Sequence, residues 1–134
     1  MIDDHYVDMF RNLAVDAEQR TGYAIPSLLS QYTIMLLADH VRKTHWYPDP
    51  NFAERYLQLK SSVDAKELAD ECLFISAVFP EYATRRGMNI TYYQSIGSSC
   101  YRRASQTLNE DLFIDLSKYF VPVVKWTQNV VSVW

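Results

Sequence analysis

Four arginines, Arg85, Arg86, Arg102 and Arg103, flank the stretch "GMNITYYQSIGSSCY", and between Glu81 and Arg103 the only acid is Glu81 itself. Guanidinium forks pair with phosphates and carboxylates in two-point geometry. So dense a group of cations in a chain of formal charge −3 needs a partner. The commoner outcome, and the expected one, is ion pairing within the chain, to Glu67, Asp70, Glu71 or Glu81. The alternative is a site for a phosphorylated or carboxylated ligand, or for an acidic partner surface. Its residues would be Arg85, Arg86, Tyr92, Tyr93 and Arg102.

Other chemistries find less support. His40 and His45 are five residues apart, which turns them about 140° from each other on a helix. A zinc helix needs two His four apart with a Glu beside them. Glu67, Asp70 and Glu71 share one helix, but no Glu-x-x-His pair of the di-iron type accompanies them. No metal site and no cofactor is expected. "GSSCY" lacks the second Gly of a nucleophile elbow and falls inside a helical pattern. Cys72 and Cys100 lie on core-facing stripes, where a thiol is inert. Phosphate-loop and dinucleotide fingerprints are missing. No catalytic residue is expected. The chain reads as a non-enzymatic interaction or regulatory domain with a protein partner. A small anion-binding protein or enzyme using the Arg/Tyr cluster is the alternative.

The elements that must position these residues are helical. With 134 residues, 49% hydrophobic and 22% charged, one domain spanning 1–134 can bury a core. Only three glycines are present, and Asn-Gly or Asp-Gly hairpin dipeptides are absent, which argues against an all-β fold. The negative charge disfavours a general nucleic-acid partner. No apolar run reaches membrane length, and the acidic start "MIDDHYVDMF" does not read as a signal peptide. The two cysteines are expected as reduced thiols in the cytoplasm.

Capping and breaking signals mark the helices. Asp3 or Asp4 opens the first, and Gly22 ends it. Pro26 and Ser27 start the second, through about Arg42, with "TIMLLA" apolar on nearly every side. Asn51 caps a short third to about Leu59. Ser61 or Ser62 precedes a fourth, with Asp64 as a further candidate cap because Glu67 would complete a capping box. This helix runs from a solvated "DAKELADE" into a buried "CLFISAVF", which Pro80 stops. A turn through Gly87 leads to a fifth helix from Asn89 to about Leu108. A sixth starts near Asn109, with Pro122 kinking or breaking it between Lys118 and Pro122. The prediction is an all-α single bundle of five or six helices.

On the fifth helix, Tyr93, Ile96, Gly97, Cys100, Ala104 and Leu108 follow helical spacing. Gly97 costs about 1 kcal/mol against Ala. A shallow groove at Gly97, Cys100 and Ala104 would repay that by admitting "CLFISAVF", with Tyr92 and Tyr101 at its edges. The pattern "LADECLFISAVFPEY", "RRG" and "YYQSIGSSCYRRA" resembles an uncharacterised family of small bacterial proteins. It matches at Asp70, Leu73, Phe74, Phe79, Pro80, Glu81, Arg85, Arg86, Gly87, Tyr92, Tyr93, Gly97 and Tyr101. "SQYTIMLLADHV" resembles that family's earlier buried helix. The chain departs from the pattern at Ala77, where Gly is expected, and at Cys100, where Ala is usual. The resemblance implies a bacterial, cytosolic helical domain and no catalytic residues.

The C-terminal stripe Val123, Thr127, Val131 and Trp134 stays apolar to the last residue. It must dock on its own bundle or on a second copy. Its length favours a homodimer through this last helix.

Overall fold

The computed structural model describes residues 5–43, 52–85 and 90–132, the side chains of 83–85 and 90 excepted. Eight helices and no strand are found among the described residues: α1 (His5–Thr21), α2 (Ser27–Arg42), α3 (Phe52–Leu57), α4 (Ser62–Val78), α5 (Pro80–Arg85), α6 (Ile90–Ala104), α7 (Glu110–Lys118) and α8 (Phe120–Val131).

The all-helical expectation holds, and the count of five or six is corrected to eight. The physical reason is proline in both cases. Pro80 ends α4, as expected, because its ring disfavours a helical residue before it. But proline is also at home in a first helical turn, so it starts the short α5. Pro122 lies in the first turn of α8, where its missing N–H costs nothing. Its ring would clash with the carbonyl four residues back, so α7 stops at Lys118 and the chain turns at Tyr119, φ −105° and ψ 24°. The expected kink or break between Lys118 and Pro122 is a break, and the last helix is therefore two.

Most other boundaries fall where the local chemistry puts them. Gly22 takes a φ of +68°, and its N–H reaches back to Glu18 O at 2.9 Å. Left-handed backbone of this kind favours glycine. Pro26 precedes α2. Ser61, rather than Ser62 or Asp64, caps α4 by accepting from Asp64 N at 3.1 Å. Asn109 caps α7 by accepting from Leu112 N at 3.1 Å. The expected caps at Asp3 or Asp4, Asn51 and Asn89, the turn at Gly87, His45 and Trp134 lie outside the described residues.

The centre of the bundle is α4, which packs on α2, α3, α5, α6 and α8, and most extensively on α6. Small and large apolar side chains alternate along it, with Ala65, Leu68, Ala69, Cys72, Leu73 and Ile75 all buried. Gly97 does permit a close approach, though not chiefly to α4. A Cβ there would meet the Phe120 ring of α8 at 2.5 Å and Cys72 Cβ at 3.1 Å. The break at Tyr119 thus has a packing consequence, because it delivers Phe120 onto the bare backbone of α6.

Two residues of the C-terminal stripe, Val123 and Thr127, dock on the protein's own bundle, while Val131 is half-buried. Val123, Trp126, Thr127 and Val130 are buried where α8 packs on α1 and α4. Trp126 Nε1 donates to Glu18 Oε2 at 3.1 Å and Gln128 Nε2 to Ser76 O at 3.3 Å. No described helix is long and apolar enough to cross a membrane.

Candidate functional site

Charged and hydroxyl side chains gather in two places on α6, one inside the bundle and one outside. The inner one centres on Asp70. Its Oδ1 accepts from Tyr32 Oη and from Tyr101 Oη, both at 2.6 Å, and its Oδ2 accepts from Lys66 Nζ at 2.8 Å. Asp70 is only 8% exposed. The placement of Asp70 corrects the reading of "DAKELADE" as wholly solvated. Tyr101, expected at the edge of a groove, is fully buried and stacks on Phe113 at 5.9 Å. Burial raises the hydroxyl pKa of Tyr32 and Tyr101, and the Asp70 charge raises it further. Both therefore act as neutral donors. Three donors on one carboxylate neutralise a charge that burial alone would penalise severely. This arrangement ties α2, α4 and α6 together. It leaves no activated nucleophile or poised base.

Beside it, His40 stacks on Phe74 with ring centroids 4.3 Å apart. Its Nδ1 donates to Leu36 O at 2.8 Å. Burial holds its pKa below the ordinary imidazole value. Cys72 and Cys100 are both buried free thiols. Burial pushes the Cys100 thiol up to about 12 and the Cys72 thiol well above its usual value, which removes the thiolate that reactivity requires. Among the described residues no three His, Cys, Asp or Glu side chains are grouped so that they could hold a metal ion.

The outer place is a groove of about 650 Å³ lined by Tyr56, Ser98, Ser99, Arg102, Arg103, Gln106, Ser117 and Lys118. Three of these residues are cationic and none is acidic. Helix α6 and the turn after it supply most of the lining: Ser98, Ser99, Arg102 and Arg103 recur at helical spacing on α6, and Gln106 follows in the turn. Helices α3 and α7 both pack on α6 and, among the described residues, not on each other. Tyr56 from α3 and Lys118 from α7 thus reach the groove from separate helices. Ser98 Oγ donates to Ser117 O at 2.9 Å, and Ser117 Oγ donates to Ser98 O at 2.8 Å. This reciprocal pair fixes α7 against α6 and so sets where Lys118 stands. Arg103 Nη2 donates to Leu59 O at 3.1 Å, which steadies it on the segment between α3 and α4.

Arg102 and Lys118 have no side-chain hydrogen bond or ion pair with the described residues, and no described carboxylate pairs with Arg103. Two of the four acids proposed to hold the arginines are committed elsewhere, Glu71 to Arg55 at 2.5 Å and Asp70 to Lys66 at 2.8 Å, and neither Glu67 nor Glu81 pairs with Arg102 or Arg103. For Arg102 and Arg103, internal pairing is therefore corrected. Of the three candidate ligand residues whose side chains are described, Arg102 alone is found in the groove. Tyr93 is buried, with its ring edge-on to Phe52 at 5.1 Å. Tyr92 is half-buried and set against Tyr93 at 5.4 Å. Arg86 and the side chain of Arg85 lie outside the described residues. Tyr56, Ser98, Ser99, Gln106 and Lys118 were not anticipated. A signal existed for part of this: Ser98, Ser99, Arg102, Arg103 and Gln106 form a continuous polar face opposite the stripe that contains Tyr93, Gly97 and Cys100.

No family model matches the chain, and no match was found among curated proteins or solved structures.

Proposed function

We propose that this is a non-enzymatic helical binding domain that grips an anionic group in the groove between α3, α6 and α7. The observation that carries this reading is that Arg102, Arg103 and Lys118 line one concavity with no carboxylate among its described lining residues, in a chain whose net charge is −3. Like charges brought together without a counter-charge repel. An anion there relieves that repulsion and accepts charge-assisted hydrogen bonds at the same time. Arg102 supplies a planar fork, Lys118 a mobile point charge, and Arg103 an anchored guanidinium with donors to spare. The remaining side chains are hydroxyls, an amide and a phenol, none of them activated, so the reading is of binding and not of turnover. It takes the chain as a bacterial cytosolic protein, as the family resemblance implies.

A two-dimensional NMR titration with inorganic pyrophosphate at low ionic strength tests it. Amide shifts should concentrate at Ser98, Ser99, Arg102, Arg103 and Lys118 and weaken with added salt. Shifts absent at millimolar pyrophosphate, or concentrated at another face, would refute the reading.

A homodimer through α8 is a separate proposal. Val123 and Thr127 are used inside the bundle, and the large apolar side chains that stay exposed among the described residues there are Tyr119 and Val121. Sedimentation equilibrium well above micromolar concentration decides it, and a monomer rules it out.

A further inference from the structure

The geometry points to a nucleoside phosphate as the ligand of this groove, with its phosphate on Arg102, Arg103 and Lys118 and its base on the Tyr56 ring. The inference rests on the anion-binding reading above and narrows it. At about 650 Å³ the groove is far larger than a bare phosphate needs. What fills the rest must suit the remaining lining. Ser99 and Gln106 make no side-chain hydrogen bond with the described residues, and their hydroxyl and amide groups match hydroxyls on a sugar or the polar edge of a base.

Tyr56 is the only aromatic residue among the described residues of the lining. Its side chain is 38% exposed and makes no ring contact or hydrogen bond with the described residues. An exposed aromatic face beside a cationic strip is how proteins hold a nucleotide without reading sequence, because every base has a π face to stack. Tyr56 comes from α3, Lys118 from α7 and the two arginines from α6. A ligand with a charged end and a flat end matches both kinds of lining. A peptide partner fits less well, since its anchors need a desolvated apolar pocket, and no aliphatic side chain lines this one. The protein's net charge also disfavours a long nucleic acid, so the ligand is a single nucleotide unit.

Calorimetric titration of the full chain with pyrophosphate, ribose 5-phosphate, adenosine monophosphate and adenosine tests the inference. Adenosine monophosphate should bind about tenfold more tightly than ribose 5-phosphate, the worth of one base stacked on an aromatic ring. Tyr56→Ala should erase that difference and leave ribose 5-phosphate unchanged, while Tyr56→Trp should keep it. Equal affinities for the two phosphate esters in the wild-type chain would overturn the nucleoside assignment while pyrophosphate binding upheld the anion site. So would a preference that survives in Tyr56→Ala. If no phosphate compound binds, the anion reading fails and this inference fails with it.

Discussion

Tyr101 and Arg102 are neighbours in the sequence and opposites in use. Tyr101 turns inward and gives its hydroxyl to Asp70 at 2.6 Å. Arg102 turns outward into a groove where no acid meets it. Around Tyr101 a negative charge is fully partnered by two phenols and an ammonium group. Around Arg102, three positive charges stand together unneutralised. The contrast separates two roles for polar residues on one helix. A partnered charge under cover holds elements in register, whereas unpartnered charges in a concavity are available to something outside.

The comparison can be broken from either side, and the inner side has the larger effects. Asp70→Ala leaves two phenols in the bundle without an acceptor. Removing one member of a buried charged network costs about 3–5 kcal/mol, and Lys66, which is partly exposed, recovers some of that in water. We expect a loss of about 3 kcal/mol in guanidinium unfolding, with anion affinity unchanged in whatever fraction stays folded. Gly97→Leu comes next. Its side chain must displace the Phe120 ring, and overpacking costs about 1–3 kcal/mol. An unchanged denaturant midpoint would show that α8 does not rest on α6 as described. Tyr101→Phe removes one of three donors and keeps the ring stack on Phe113, so the expected loss is about 1 kcal/mol.

The smallest effect belongs to His40. Burial lowers its folded pKa, with Lys43, Asp70 and Asp39 as the charged groups that act on it. The unfolded chain then binds more protons just below the ordinary imidazole pKa of about 6.5. Stability is complete above that value and declines as pH falls beneath it toward the folded pKa. Unfolding midpoints measured from pH 7 to pH 5 should show that decline, and His40→Gln should flatten it. A midpoint that rises on acidification would mean that the imidazole gains a carboxylate partner instead.

How much of this was legible in the sequence follows from the range of each interaction. Gly22, Pro26 and Asn109 act on backbone within four residues of themselves, so the ends they set could be read directly. Pro80 was read as a stop and Pro122 as a kink or break, but each also stands in the first turn of a new helix, and that second role depends on whether the chain beyond has a surface to pack on. Asp70 sits among Lys66, Glu67 and Glu71, which makes it look solvated. Its burial is decided by Tyr32 and Tyr101, which lie 38 and 31 residues away. The groove was half visible. Arg102 stood out by composition, but Lys118 and Tyr56 reach it on other helices, and no local pattern records that. Cys100 and Gly97 were placed on the buried stripe correctly because helical periodicity alone decides it, while the identity of the neighbour, Phe120, does not follow from periodicity.

The most direct measurement crosses the two regions. Denaturant midpoint and pyrophosphate affinity are determined together for the wild-type chain, for Tyr101→Phe and for Arg102→Ala/Lys118→Ala. Exposed unpaired cations add little to stability, so the double variant should stay within about 0.5 kcal/mol of wild type. It should lose about 100-fold in affinity, on the order of tenfold for each charge-assisted contact removed. Tyr101→Phe should do the reverse, losing stability and keeping affinity. A double variant that binds pyrophosphate as well as wild type, or that loses its stability instead, would contradict the division between a partnered interior and an open cationic groove.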